Sequence, residues 1–397
     1  MNTEKSTDGV QIASALAKHD DLAAALDHVC ERIEEQLEGA PELSFVFVSA
    51  NHVNDCQQIA DVICDRLATE RLLGCAGESI VGVGEEVEGD SAISLWCAKM
   101  PDTTLLPMHL RFERTTDGGS ILGWHDELLT DWPPDAAMIL MGDPFSFPAD
   151  AMLEQLNRDQ PGVGVVGGMA SAGQEPGSNR LILGRRVETE GAVAVVLSGG
   201  VRLRTVVSQG CRPIGTPLVI TKAERNVIQE LGGRAAMLQL KEIFDALPNY
   251  EKEIVQRGLH VGRVISEYQE RREQGDFLIR NVMGIDPDNG SIVIGDFIRP
   301  GQTVQFHIRD DKTADNDLGQ LLLESRKRSE LPPRGALLFT CNGRGTRLFG
   351  DPHHDAALIA AHLGAIPLAG FFAAGELGPV SGANFMHGFT ASMMLFE

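Results

Sequence analysis

The pattern of apolar and polar positions repeats three times along the chain. Each copy predicts a β-rich run, a helix, an apolar strand with glycine and a turn of small residues, and a further apolar strand. The copies begin at Ser44 (SFVFVSA), Ala136 (AAMILMGD) and Gly335 (GALLFTCNG). Their glycine-containing strands are LLGCAGESI from Leu72, GVGVVGGMASAG from Gly162 and IPLAGFFAAGELGP from Ile366. The pattern therefore predicts a chain built from repeated β-α-β-β units.

The helix of the first copy has the clearest pattern. Apolar residues recur on one helical face, namely Cys56, Ile59, Ala60, Ile63, Cys64 and Leu67. Asn54 or Asp55 is available as its N-cap. The strands are continuous apolar runs, which is typical of sheets covered on both faces. The fold class predicted is α/β (α+β), with layered sheets covered by helices.

The stretch between the second and third copies does not follow the repeated pattern of apolar and polar positions. Residues 234–247 predict a helix, and residues 311–328 predict another whose basic end matches its macrodipole. Between them, strands begin at His260, Asp276, Ser291 and Gln302. Glycine and proline accumulate over residues 210–217, which places the main boundary there. Residues 1–39 predict a polar leader followed by one helix from Ala13 to Leu37.

The charge balance excludes several kinds of partner. With 56 acidic and 34 basic residues the formal net charge is −22, which disfavours nucleic acid and anionic membrane surfaces. The polar start lacks a secretory signal, and seven cysteines without a C-x-x-C pair indicate a reducing cytoplasm. Residues 356–375 carry no formal charge, but Gly364 and Pro367 favour a buried helix followed by a strand over a membrane span.

Three loops of small residues follow the glycine-containing strands. They contain Gly77 and Glu78 in the first copy, Gly168 and Ser171 in the second, and Gly375 and Glu376 in the third. Small residues let a ligand approach the backbone, and a carboxylate selects an ammonium or hydroxyl group. A tight turn with an exposed glutamate is the alternative for either Gly-Glu loop alone. Three equivalent loops predict a shared ligand pocket.

Two familiar motifs are interpreted as structural. The sequence Gly162-x-Gly164-x-x-Gly167 matches the dinucleotide fingerprint, but it follows a helix instead of opening one. The histidines of DPHHD at residues 351–355 are interpreted as part of a helix start, because no further ligand cluster at a known metal-binding spacing accompanies them. No metal site is predicted.

Cys341 supports an alternative hypothesis of enzymatic activity. It stands at a predicted strand end, Arg344 could lower its pKa, and His387 could act as a base. A cysteine-dependent enzyme would then act on a small amide or ester. The competing interpretation is a small buried residue at the end of a strand. Catalytic residues are therefore not assigned.

The C-terminal motifs resemble the FIST family of intracellular signal-transduction modules. The resemblance is carried by CNGRG from Cys341, PLAGFFAAGELGP from Pro367 and HGFTAS from His387. A shorter likeness, GCAGESI from Gly74, lies in the N-terminal part, and the whole covers about residues 40–397. The resemblance implies two FIST-type halves, 40–215 and 216–397, after the leader.

Membership of this family implies a cytoplasmic sensory domain that binds small ligands such as amino acids and has no chemistry of its own. Some relatives are associated with haem-based sensing, for which His260, His307 and His387 are the candidate ligands; a lone histidine on an apolar strand is usually structural. We find no room for an output domain before residue 40 or after Glu397. The signal is therefore expected to pass to a separate signalling protein or through self-association.

The sequence hypothesis is a sensor for an amino-acid-like ligand. Glu78 and Glu376 attract the ammonium group, and Arg344 pairs with the carboxylate in a bidentate manner. Gly77, Gly168 and Gly375 offer backbone groups, and Ser171 and His387 complete the predicted pocket. Besides the enzyme, the alternatives are a protein-interaction scaffold, which predicts an exposed apolar patch, and a haem-based gas sensor.

Overall fold

A computed structural model describes residues 9–116, 118–267, 274–329 and 331–397. The first eight residues of the predicted leader lie outside this description. The chain forms two compact units, one running to Val207 and resuming over Gly319–Glu397, the other comprising Ser208–Leu318. The sequence-based division at residues 39 and 215 stays a prediction, whereas these compact units divide the chain at residues 207 and 318.

The first two repeats follow each other directly. The elements of the first are β1 (Gln11–Lys18), α1 (Leu22–Gln36), β2 (Leu43–Ser49), α2 (Cys56–Leu67), β3 (Leu72–Gly77), β4 (Ser79–Gly82), β5 (Glu85–Glu88) and β6 (Ala92–Lys99). Those of the second are β7 (Thr103–Thr115), β8 (Gly118–Leu122), β9 (Ala137–Gly142), α3 (Ala149–Asp159), β10 (Gly164–Met169), β11 (Leu181–Leu183), β12 (Arg186–Glu188) and β13 (Ala192–Gly199).

The second unit is inserted into the third repeat. After β14 (Leu203–Ser208) come β15 (Arg212–Glu224), β16 (Val227–Leu231), β17 (Arg234–Ala235), α4 (Ala236–Ala246), α5 (Asn249–Arg257), β18 (Leu259–Val264), β19 (Phe277–Asp286), β20 (Ser291–Ile294), β21 (Thr303–Ile308) and α6 (Asp311–Arg328). The repeat then continues with β22 (Gly335–Cys341), α7 (Thr346–Phe349), α8 (His354–Leu363), β23 (Leu368–Ala373), β24 (Glu376–Val380), β25 (Ala383–His387) and β26 (Ala391–Phe396). Short 3₁₀ helices lie at Ala50–Asp55, Asp126–Leu129 and Gln274–Asp276.

The repeats share one strand arrangement. In each, two parallel strands are joined by a helical crossover, as in β2/β3, β9/β10 and β22/β23. The last strand of each repeat, β6, β13 or β26, pairs antiparallel with the first of these two. This arrangement confirms the predicted α/β class, in which helices cross over between parallel strands.

The repeats exchange hairpins in a cycle. The β4–β5 hairpin, which follows β3, joins the sheet of the third repeat beside β23. The β11–β12 hairpin leaves the second repeat and pairs with β3, and the β24–β25 hairpin leaves the third and pairs with β10. Each repeat therefore completes the sheet of another, which ties the three into one unit.

The inner faces of these sheets share a core. Phe47 of the first repeat lies 6.2 Å from Phe339 and 5.5 Å from Phe371 of the third, measured between ring centroids. Ile139 and Met141 of the second repeat belong to the same buried cluster. On the outer face of the first sheet, α1 and α2 bury residues such as Ile33 and Ile59. Burial on both faces explains the continuous apolar runs of these strands.

The N-terminal helix was predicted too long. Residues 11–18 form β1, which pairs antiparallel with β6, and α1 begins only at Leu22, where Asp21 accepts hydrogen bonds from the amides of Ala23 and Ala24. The alanines of QIASALAK suggest a helix by propensity. Their alternation is that of a strand, because Ala13 lies in the cluster under the helices and Ile12 packs on the central core.

Other predicted elements are confirmed. The stripe from Cys56 to Leu67 coincides with α2, and residues 311–328 coincide with α6. Asp55 precedes α2 but makes no side-chain cap; its carboxylate lies 3.3 Å from His52 Nδ1 instead. The uncharged stretch 356–375 contains the end of α8 and the buried strand β23. No helix in the described part of the chain has the length and apolarity needed to cross a membrane.

Equivalent glycines mark the parallel strand pairs. A Cβ atom on Gly74, Gly167 or Gly370 would come within 1.8–1.9 Å of the carbonyl oxygen of Val46, Leu140 or Leu338 on the neighbouring strand. Only glycine fits at such a distance without displacing the backbone. The periodic glycine of the sequence pattern is therefore a packing requirement between strands.

We expect Gly370→Ala to destabilise the first unit, because the new methyl group would push β23 away from β22. Overpacking of this kind costs about 1–3 kcal/mol. Urea unfolding measures the loss, with Gly164→Ala as the control, since a Cβ on Gly164 meets no atom within 4 Å. Equal losses of stability for the two variants would show that Gly370 acts through strand propensity alone and not through its contact with Leu338.

The second unit is built around an antiparallel sheet of order β15-β21-β18-β19-β20-β16-β17. The predicted DPDNG turn joins β19 to β20, and Gly290 there has a φ of 71°. Asp286 accepts hydrogen bonds from the Asp288 amide at 2.9 Å and from the Asn289 side chain at 2.7 Å. The helices α4 and α5 precede β18 in the same unit.

Candidate functional site

The three predicted loops meet where the chain crosses from one sheet to the next. The Glu78 amide donates to Ser171 Oγ at 2.8 Å, and Ser171 Oγ in turn donates to the Phe372 carbonyl. The Met169 amide donates to the Gly375 carbonyl at 2.8 Å. The structure thus brings together loops from all three repeats.

The three loops pack closely against one another. A Cβ on Gly168 would lie 2.7 Å from the Ala373 Cβ, and one on Gly77 would lie 2.9 Å from the Phe371 Cβ. At Gly375 the Met386 Sδ is 3.3 Å away. The space that these glycines open is filled by protein atoms. Their small size serves the close packing of the crossovers, and the role in ligand approach that the sequence suggested stays a prediction.

Arg344 already has a carboxylate partner. It is fully buried, and its Nε and Nη2 donate to Asp355 Oδ2 and Oδ1, each at 2.7 Å. The bidentate pair predicted with a ligand is therefore made within the chain. Asp355 is the last residue of DPHHD, where the sequence predicts a helix start. Nothing in the sequence indicated that Asp355 pairs with Arg344, eleven residues earlier.

The two predicted carboxylates have different surroundings. Glu78 is partly exposed and forms an ion pair with Arg347, a residue that the sequence reasoning did not select. Glu376 is fully buried on β24, where its Oε2 accepts a hydrogen bond from the Thr390 amide at 2.9 Å. Glu376 also pairs through its backbone with Gly168 and His387. The Glu376 carboxylate thus stabilises the turn before β26.

A buried charge cluster surrounds Asp355; we use this name for Glu86, Thr340, Arg344, His354 and Asp355. Thr340 Oγ1 donates to Asp355 Oδ2 at 2.7 Å, and His354 Nδ1 lies 3.0 Å from Oδ1. Glu86 comes from the exchanged β4–β5 hairpin, and its Oε1 accepts from an amide in the first turn of α8 at 2.9 Å. The cluster therefore joins a hairpin of the first repeat to the loop after β22.

The charges of the cluster bias its protonation. Burial, reinforced by the Asp355 charge, raises the pKa of Glu86 to about 8. Burial also acts to raise the pKa of Asp355, but Arg344 outweighs it, and this pKa falls well below its usual range. The surroundings therefore favour an ionised Arg344–Asp355 pair and the protonated form of Glu86. Glu86 Oε2 and Arg344 Nη1 are buried without a hydrogen-bond partner among the described residues.

Cys341 and His387 make separate contacts. Cys341 Sγ accepts a hydrogen bond from the Gly343 amide at 3.3 Å, and His387 Nε2 donates to the Gly378 carbonyl at 3.0 Å. Cys341 is half-buried, whereas the other six cysteines are buried, as their apolar surroundings predicted. Burial raises the pKa of Cys56 and of Cys97 to about 12. The pairing of Cys341 with His387 stays a prediction.

The candidate haem ligands do not fit a porphyrin. His307 is fully buried with its ring against Gly262, where a Cβ would come within 2.4 Å of His307 Cε1, and the Phe277 ring centroid lies 5.1 Å away. His260 stands opposite His307 on β18, and burial lowers the pKa of both to about 4. His387 is buried and bonded to its own hairpin. Among the described residues, no group of three or more His, Cys, Asp and Glu could hold a metal ion.

A cleft in the second unit offers open space, which the meeting point of the three loops lacks. It has a volume of about 490 Å³ and lies between α4, the end of α5 and strands β18 and β19. Apolar side chains form most of its wall, among them Met237, Leu240, Phe244, Val255 and Leu259. Lys241, Arg257 and Gly284 also line it. The sequence did not predict this cleft. The one indication of it was Met283 and Ile285, apolar residues on the predicted strand from Asp276, which the structure places exposed at the edge of the cleft.

These observations define a class of α/β proteins in which three β-α-β units exchange hairpins and carry an inserted second unit. The chain belongs to the FIST family. A FIST N domain matches residues 42–234 and a FIST C domain matches residues 236–379. FIST domains are associated with sensing in signal transduction.

Two mycobacterial relatives match nearly the whole chain. An uncharacterized protein of Mycobacterium tuberculosis strain H37Rv is 44% identical over 375 residues, which are 94% of this chain and 96% of the relative. An uncharacterized protein of Mycobacterium bovis is 42% identical over 376 residues, 94% and 95% of the two chains. The likeness therefore extends beyond the matched domains to the N-terminal elements of the repeat unit.

Proposed function

We propose that the chain is a cytoplasmic sensory protein of signal transduction that binds a small ligand in the cleft of the second unit. The observation that carries this proposal is the cleft itself, with about 490 Å³ and a mostly apolar wall. Ligand sites in proteins commonly have about 300–1,000 Å³ and such a wall with a few polar groups. Amino acids with large apolar side chains are the first candidates.

The association of FIST domains with sensing supports this proposal. The point where the three loops meet is filled by Phe371, Ala373 and Met386. This packing favours the cleft over the pocket predicted from the sequence. In this proposal ligand binding changes the second unit, and a separate signalling protein or a second copy of the chain reads that change. The protein itself performs no chemistry on the ligand.

Blocking the cleft is expected to abolish the response to ligand. A Cβ on Gly284 meets no described atom within 4 Å, so the Gly284→Phe side chain starts from open space beside the cleft. Phenylalanine, leucine and 3-phenylpropanol are tested by thermal unfolding of the full chain. A ligand at a hundred times its Kd stabilises the native protein by about 2.7 kcal/mol, which Gly284→Phe should lose.

Gly275→Phe is the matched control, because a Cβ on Gly275 also meets no atom of the described residues within 4 Å and Gly275 does not line the cleft. This variant should respond to the ligands as the unmodified chain does. The proposal fails if neither these three compounds nor 3-phenylpropanoate raises the melting temperature, or if Gly284→Phe responds fully. A stable protein complex without any response to small molecules would favour the interaction scaffold, for which Met283, 69% exposed, provides an apolar surface.

A further inference from the structure

Two cations line the cleft of the second unit. Lys241 on α4 and Arg257 at the end of α5 both line the cleft, and neither forms an ion pair with any described residue. A third cation lies close by, since Lys252 Nζ is 5.7 Å from the ring centroid of Phe244.

One acidic residue of each of these helices is paired elsewhere. Glu242 on α4 accepts two hydrogen bonds from Arg234, at 2.6 and 2.8 Å. Glu251 on α5 lies 2.9 Å from Arg212 Nη1. None of the described residues that line the cleft is acidic. The cleft therefore combines an apolar wall with two positively charged side chains, and its described lining residues offer no carboxylate to an ammonium group.

We propose that the cleft binds an apolar monocarboxylate without an ammonium group. This inference rests on the proposed function, keeps its binding site, and replaces amino acids as the first candidates by apolar organic acids. The hydrocarbon part packs on Leu240 and Phe244, where burial removes apolar surface from water. The carboxylate lies toward Lys241 and Arg257, and the guanidinium group can donate two parallel hydrogen bonds to it.

Phenylalanine would bind less tightly than the acid of the same shape. Its ammonium group would lie near Lys241 and Arg257, and like charges repel. Both cations are exposed, so their attraction for a carboxylate is screened by salt. The affinity for an acid should fall as ionic strength rises, whereas the affinity for a neutral ligand should not.

The test compares three ligands that share a phenylpropyl body. The ligands are 3-phenylpropanoate, phenylalanine and 3-phenylpropanol, and calorimetry with the full chain measures their affinities. We expect 3-phenylpropanoate to bind most tightly. Lys241→Gln and Arg257→Gln should each weaken it by about two- to five-fold, as for exposed ion pairs, and leave 3-phenylpropanol unchanged. Lys222→Gln removes an exposed charge from the same unit away from the cleft and should change neither ligand.

The outcomes separate this inference from the proposed function. If the alcohol or phenylalanine binds as tightly as the acid, while Gly284→Phe blocks all three, the ligand class is wrong and the cleft remains the binding site. If the glutamine variants bind the acid as the unmodified chain does, the assigned role of the cations is wrong. If no ligand binds, or Gly284→Phe changes nothing, both proposals fail together.

Discussion

Replacing Arg344 by alanine is expected to lower the free energy of unfolding by about 3–5 kcal/mol, the usual cost of leaving one buried charge without its partner. Arg344 is fully buried, and both bonds to Asp355 are 2.7 Å long. Without the guanidinium group, Asp355 would be left as a buried carboxylate beside Glu86. Urea unfolding followed by circular dichroism measures the loss.

Arg347→Ala is the matched control in the same loop. Arg347 is 58% exposed and pairs with Glu78 at the surface, where an ion pair contributes less than about 1 kcal/mol. If Arg344→Ala fails to fold, Arg344→Lys keeps the charge but loses the bidentate geometry, and its smaller loss of stability can be measured instead. A stable Arg344→Ala variant that loses its response to ligand would restore Arg344 to the ligand-binding role predicted from the sequence.

The sequence predicted the repeat because the repeat is a local pattern. The apolar stripe of α2 follows from a period of 3.6 residues and the glycine-containing strands from short continuous apolar runs, and neighbouring residues alone determine both patterns. The limit of such reasoning is visible at β1. There Ala13 and Ala15 are compatible with either period, and pairing with β6, some eighty residues later, decides the conformation.

The candidate site was harder to predict because it depends on hairpin exchange. The sequence predicted that a strand ends near Gly77 and another near Gly375. It did not predict which sheet the hairpin after each of them joins. Glu86 lies beside Asp355 only because β4–β5 joins the sheet of the third repeat, 270 residues from its hydrogen-bond donor Ala356. The cleft of the second unit depends in the same way on how α4 and α5 pack beside β19.

Stability is expected to fall as pH rises from 4.5 to about 8, to the extent that Glu86 determines it. The pKa of this carboxyl is 4.5 in its ordinary state and about 8 in the folded chain. Between these values the folded state holds a proton that the unfolded state has released, so raising the pH favours unfolding. The slope from one such group reaches about 1.4 kcal/mol per pH unit.

Glu86→Gln isolates this contribution, because glutamine resembles the protonated acid and does not titrate. His260 and His307 have the opposite effect, since burial lowers their pKa values from 6.5 to about 4 and stability rises with pH between those values. The clearest window is therefore pH 6.5–8, where the histidines no longer titrate. Urea unfolding across this window should give a falling curve for the unmodified chain and a flatter one for Glu86→Gln.

Glu88→Gln serves as the control on the same strand. Glu88 accepts hydrogen bonds from the Thr346 amide at 3.0 Å and hydroxyl at 2.8 Å, at an exposed contact. Because the Glu88 charge contributes only a minor part of the raised pKa of Glu86, the Glu88→Gln curve should run close to parallel with that of the unmodified chain. If the Glu86→Gln curve also ran parallel, Glu86 would be ionised at neutral pH, and Arg344 would be neutralising two carboxylates. A flatter curve would instead show that proton release from the cluster weakens the attachment of the β4–β5 hairpin to α8.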